Sequence, residues 1–188
     1  MVDAERNEFR RGLGHPVLEL LATLAGRRGE PLERLATPDD LSHWLELAGI
    51  AADVPCNSAL LAQARELREA LFRLLLAARE GRSPAASDLE LVNRWARRGM
   101  RSPQLDGSLR ITLVGPDAGR AALAELARAG VELVAGGELA RIRNCANSEC
   151  SLMFIDHSRP GRRRWCSMER CGNRAKTASY RRRRRVGT

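Results

Sequence analysis

Five cysteines hold most of the chemistry this chain can offer, and four of them cluster near its end. Cys145 and Cys150, then Cys166 and Cys171, form two pairs with the same four-residue gap, separated by fifteen residues. Zinc takes four soft donors in a tetrahedron, and two close-spaced pairs each supply one edge of it. The spacing therefore predicts a Zn2+ site whose ligands are Cys145, Cys150, Cys166 and Cys171. Four thiolates close the shell and leave no position for water, so the metal is expected to be structural. An iron–sulfur cluster also takes four thiolates, but this spacing does not match the usual ferredoxin runs. His157, between the pairs, reads as a turn residue, and the solitary Cys56 as a small buried or bystander thiol.

Charge singles out the same region. Residues 1–140 carry 18 Arg against 20 Asp or Glu, a net −2, whereas residues 141–188 carry 13 Arg and Lys176 against three acids, a net +11. So dense a cationic patch predicts an anionic partner, through counterion release from a polyanion. The candidates are Arg162, Arg163 and Arg164 just before the second cysteine pair, and Asn173, Arg174 and Lys176 just after it. Arg181, Arg182, Arg183, Arg184 and Arg185 follow in the tail. Asn173 and Arg174 stand near an expected helix start, where Asn can pair with adenine and Arg with guanine. The tail arginines suit phosphates alone.

The elements that must position these groups read as mainly α. Val17, Leu18, Leu21 and Leu24 share a face of a helix expected over Pro16–Ala25. Thr37 caps a second helix with Pro38 at its first position, and Leu41, Trp44 and Leu45 form its stripe. Asn57 or Ser58 opens the longest helix, to about Glu80, with leucines and alanines at three- and four-residue steps. Ser87 and Glu90 predict a capping box for a fourth helix carrying Leu91, Val92 and Trp95. Leu109, Ile111 and Leu113 alternate with Arg110 and Thr112 as in a half-buried strand, and Asp106-Gly107 predicts a hairpin turn. A further helix is expected from Pro116 to Ala129, stopped by Gly130, and a weaker one from Val131 to Arg143. Around the cysteines, Leu152–Ile155 and Arg162–Trp165 are expected to form a hairpin, with a helix from Asn173 to Tyr180. The fold class is thus a helical domain with a small β-hairpin over 1–140, a treble-clef-like four-cysteine module ending in a helix over 141–180, and a basic tail over 181–188. So small a module cannot bury enough apolar surface to fold alone, and metal ligation in comparable sites supplies roughly 10–16 kcal/mol.

His15 and His43 lack ligand-spaced neighbours, Trp44 and Trp95 sit at packing positions, and no phosphate loop, nucleophile elbow or acid–base pair stands out. The chain is not expected to be an enzyme. Its start lacks the apolar segment of a signal peptide and no stretch of about 18 apolar residues occurs, so a cytoplasmic, nucleoid-associated location without membrane contact is expected.

Arg163-Arg164-Trp165-Cys166-Ser167 and Cys171-Gly172-Asn173-Arg174-Ala175-Lys176, with Asp156-x-Ser158-Arg159 upstream, closely resemble the CGNR zinc finger family. Residues 12–140 resemble the ABATE domain that usually precedes this finger in proteins assigned as bacterial stress-response transcription regulators, most clearly at Thr37-Pro38-Asp39-Asp40-Leu41 to Trp44-Leu45. One departure is that this chain has Glu19 and Ala22 where the family usually shows an Asp and an Asn. The resemblance implies a DNA-binding regulator whose N-terminal domain senses or dimerises, leaving homodimerisation and a small-molecule effector open. RNA binding uses the same electrostatics, although Tyr180 is the lone aromatic after the second cysteine pair available for stacking. A zinc-stapled module that binds an acidic protein is the other alternative.

Overall fold

In the computed structural model, residues 8–178 are described. The chain divides into two compact units that are not consecutive in sequence: one spans Leu35–Leu139, and the other gathers the segments up to Arg34 and from Ala140 onward.

The Leu35–Leu139 unit is helical because its caps and stripes agree. Taking α1 as Pro16–Leu21 of the other unit, α2 covers Pro38–Leu47. Thr37 and Asp40 close a reciprocal capping box at its start. In α3, Ser58–Arg79, Asn57 caps by accepting from the Leu60 amide at 2.9 Å. Next come α4, Ala86–Ala96, and α5, Ala118–Ala135, and these three longer helices pack on one another. Leu67, Leu71 and Leu75 of α3, Trp95 of α4, and Leu123 and Leu126 of α5 are all buried. Each such side chain contributes about 1.5–3 kcal/mol on leaving water.

Two expectations fail here for reasons of packing. Gly130 does not stop α5, which continues to Ala135. A Cβ at Gly130 would lie 2.2 Å from Leu71 Cδ2, and one at Gly119 would lie 2.3 Å from Leu60 Cδ2. Both glycines thus mark where α3 presses against α5. Gly119 to Gly130 and Leu60 to Leu71 are the same eleven-residue step, so the two helices run parallel through three turns. The Ser87–Glu90 capping box is also absent: Ala85 precedes α4 without a side-chain cap. Asp88, buried in the first turn, instead takes two hydrogen bonds from Arg73 of α3, at 2.6 and 2.8 Å.

The expected hairpin forms from β3, Ser102–Leu105, and β4, Ile111–Val114, with Leu105 opposite Ile111 and Pro103 opposite Leu113. The Asp106 carboxylate accepts from the Ser108 and Arg110 amides to make its turn. Alternation puts Pro103, Leu105, Ile111 and Leu113 on one face, yet both strands are exposed throughout, Ile111 to 74%. The half-buried strand is therefore an exposed one: periodicity set its pleat without providing a covering layer.

In the other unit, α1 is capped by the His15 side chain, which accepts from the Val17 amide. It ends at Leu21 instead of Ala25, because Leu24–Ala25 becomes strand β1 and pairs antiparallel with β2, Leu32–Glu33. Of the weak helix expected over Val131–Arg143, residues 131–135 form the end of α5, and a 3-10 turn, Gly137–Arg141, follows and leads into β5, Ile142–Asn144. β5 pairs antiparallel with β6, Met153–Ile155. The expected hairpin partner at Arg162–Trp165 takes no strand conformation; β6 pairs upstream instead. The other side of β6 meets the N-terminal segment, where Ile155 donates its amide to the Leu13 carbonyl at 2.9 Å. Gly14, with φ +91°, permits this approach, since a Cβ there would sit 3.1 Å from Ile155 Cβ. Glu19 secures the same segment by accepting from the Gly12 and Leu13 amides, so the departure from the family's usual residue holds a turn. Met168–Gly172 forms a wide π-type turn, from which helical backbone continues over 173–178. The last two residues of the helix expected over Asn173–Tyr180 lie outside the described residues. Mainly helical, with small two-stranded sheets and a cysteine module that runs into a helix, the chain has the expected fold class.

Candidate metal centre

Each cysteine pair sits in a local turn that its own sequence makes. Cys145 follows β5 directly, and its amide donates to the Leu152 carbonyl across the hairpin. Asn147 then makes the first knuckle: its side chain accepts from Glu149, and its carbonyl accepts from the Cys150 amide. In the second, Ser167 caps the π-type turn, its hydroxyl accepting from Arg170 and its carbonyl from Gly172. The Ala146 amide donates to the Arg164 carbonyl at 2.8 Å and ties one knuckle to the approach of the other.

The result brings all four sulfurs within 4.8 Å of one another. Cys150 and Cys166 Sγ are 3.8 Å apart, and Cys166 and Cys171 Sγ are 3.6 Å apart. A zinc–sulfur distance near 2.3 Å implies tetrahedral edges of about 3.8 Å. The donor set thus fits a zinc tetrahedron, whereas a disulfide needs about 2.05 Å. Cys145, Cys166 and Cys171 are buried, and Cys150 is half-buried.

Protonation reports the same crowding. The hydrogen bond from Cys166 pulls the Cys150 thiol down to about 5. Cys166 is pushed well up, first by holding that hydrogen bond and then by burial. Burial raises Cys171 to about 11. Without a cation, Cys150 ionises while Cys166 and Cys171 keep their protons. A dication reverses that preference by compensating several thiolates together.

The shell around the sulfurs is made largely by Arg163 and Asp156. The Arg163 guanidinium donates to the Trp165 carbonyl at 2.9 Å and to the Cys166 carbonyl, and it lies 4.6 Å from the centre of the Phe154 ring. Asp156 is buried and accepts from the Ser158 hydroxyl at 2.6 Å, the Ser158 amide and the Arg163 amide. Those bonds, the Ser158 hydroxyl first, hold its carboxyl below the usual range. Gly172 packs closely: a Cβ there would fall 2.8 Å from Sδ of the exposed Met168, which can move aside, and 3.3 Å from Trp165 Cδ1. Arg170 forms an ion pair with Glu8 of the N-terminal segment.

Of the cationic candidates, Arg162, Arg164, Arg174 and Lys176 are exposed, as is Asn173. Arg164 has its guanidinium 5.1 Å from the Trp165 ring centre. Asn173 gives an amide proton to the Glu169 carbonyl at 3.0 Å. Arg163 alone is turned into the knuckle. Arg181–Arg185 lie outside the described residues. The bracing roles of Arg163, Asp156 and Glu19 were missed from sequence; Asp156-x-Ser158 carried a usable signal, since Asp two residues before Ser is an Asx-turn pattern.

Residues 14–137 match the ABATE family, described as "Putative stress-induced transcription regulator", and residues 141–184 match the CGNR zinc finger. Both are regulator or zinc-finger types, and clustered cysteines are the donor set consistent with structural Zn2+. No curated protein matches the chain. Among the described residues, no helix is long and apolar enough to cross a membrane.

Proposed function

Because the chain belongs to the ABATE family and ends in a CGNR zinc finger, we propose that it is a DNA-binding transcription regulator without catalytic activity. In this reading Cys145, Cys150, Cys166 and Cys171 hold a structural zinc ion. The zinc finger, residues 141–180, and the basic tail, 181–188, supply the DNA contacts, while the helical part within 1–140 senses a signal or dimerises. The cytoplasm, at the nucleoid, is the corresponding location.

The observation that carries the reading is the closed sulfur cluster itself. It ties the approach to Cys166, which carries Arg162 and Arg164, to the helical stretch after Cys171, which carries Arg174 and Lys176, and all four are exposed. These side chains suit phosphates, supplemented by the Arg181–Arg185 tail. Asn173 and Arg174 begin the helical stretch and are the candidates for base edges, with one Asn173 amide proton already committed to its own helix. Arg163 is left out of the contact set, since its guanidinium serves the knuckle.

Fluorescence anisotropy on random and selected duplexes tests this. Affinity should fall with salt by about 0.9 logarithmic units per phosphate contact, and zinc chelation should abolish binding. Duplex RNA competing as well as DNA would move the reading to RNA. Failure to bind any nucleic acid at low salt would overturn it.

A further inference from the structure

Beside the sulfur cluster, the unit built from both chain ends contains a cavity of about 560 Å3. Cys150, Cys166 and Cys171 line it, together with Arg34, Arg170 and Arg174; Cys145 does not. Cys150 is also the one cysteine of the four that is not buried, and the Arg34 guanidinium interacts electrostatically with it. Cys166 Sγ stands 3.8 Å from Cys150 Sγ, so a resolving sulfur is within reach.

We propose that this cavity admits a small peroxide and that Cys150 and Cys166 are its target, which makes the zinc centre reversibly oxidisable. The Cys150 thiolate attacks one oxygen of hydrogen peroxide. The O–O bond breaks, an S–O bond forms, and hydroxide leaves, giving Cys150 sulfenic acid. The Cys166 thiolate then attacks the Cys150 sulfur, forming the S–S bond and expelling the second hydroxide. In balance, two thiolates lose two electrons, one peroxide gains them, and two hydroxides result. The cavity wall mixes arginines with Glu8, Glu30, Glu149 and Glu169, Glu8 pairing with Arg170, and Arg34 is the guanidinium beside Cys150 that favours the departing hydroxide. Closure to a disulfide moves the two sulfurs from 3.8 Å to about 2.05 Å. It removes two of four donors, and zinc is released. The proposal goes beyond the DNA reading and needs only the thiolate centre.

The zinc-loaded full chain, titrated with hydrogen peroxide, provides the test. Zinc release is followed with a metallochromic chelator, and thiols are mapped by alkylation and mass spectrometry. We expect about one zinc released per peroxide consumed, Cys150 modified first, a Cys150–Cys166 disulfide as product, and recovery with dithiothreitol and zinc. Cys150→His, which offers three thiolates and one imidazole, should lose zinc to peroxide about tenfold more slowly or more; should this variant not load with metal, the thiol map of the unaltered chain decides alone. First modification at Cys145 or Cys56, a Cys166–Cys171 disulfide, or retention of zinc and all thiols in tenfold excess peroxide each overturns the proposal. Duplex binding is scored separately by anisotropy, so failure here leaves the DNA reading standing, and the reverse.

Discussion

Arg163 separates bracing of the metal from contact with a polyanion. Replacing it by Met keeps an unbranched stem beside Phe154 but deletes the bonds to the Trp165 and Cys166 carbonyls and the contact with the ring. Hydrogen bonds from a charged donor contribute about 1.5–3 kcal/mol, and a partly exposed cation–π contact about 0.5–1 kcal/mol. Arg163 is half-buried, so water recovers roughly half of what the two bonds contribute at their lower end, leaving about 2 kcal/mol in all. That corresponds to about a 30-fold loss of zinc affinity, within the 10- to 100-fold range typical of groups that orient metal ligands. Competition against a chelator of known affinity measures it. With zinc saturating, the salt dependence of duplex binding should be unchanged in Arg163→Met. Arg162→Met should behave oppositely, with zinc affinity intact and the salt slope reduced by about 0.9. Zinc affinity within twofold of the parent in Arg163→Met, together with a reduced slope, would refute the assignment.

Gly130→Ala should lower unfolding free energy by about 1–2 kcal/mol in urea titration, because contact with Leu71 outweighs alanine's helix preference of about 1 kcal/mol. Ile111→Ser, on the exposed hairpin face, should change stability by no more than about 0.5 kcal/mol by the same measurement. Zinc loading near pH 7 should release protons from Cys166 and Cys171, whose thiols are held above their ordinary range, and none from Cys150, already ionised with its value near 5. Zinc affinity should therefore rise with pH, which calorimetry in buffers of different ionisation enthalpy would register.

What sequence made legible was local. Cysteine pairs four residues apart, the Thr37 and Asn57 caps and the Asp106 turn each depend on residues within a few positions. Their geometry follows from spacing and donor type. What stayed hidden depends on distant partners. Gly130 is read as a stop until Leu71 is known to lie against it. Ser87 and Glu90 look like a cap until Arg73 claims Asp88. A run of arginines before Cys166 looks uniformly cationic, yet its middle member is folded inward by carbonyls that sequence does not orient. Pairing of β6 with β5 and its bond to Leu13 are likewise choices among partners that periodicity cannot rank.

The joining of residues 8–34 to the cysteine module has a consequence for synthesis. Arg27 donates its amide to the Ser151 hydroxyl across 124 residues. At ribosomal rates of about 5–20 residues per second, that partner emerges roughly 6–25 s after Arg27 does. Meanwhile the helical span between them can complete its own packing, while Leu13 and Arg27 of the leading segment still lack their partners Ile155 and Ser151. Capture of the metal is thus among the final events of maturation, and a cell short of zinc would accumulate chains whose middle is finished while both ends wait.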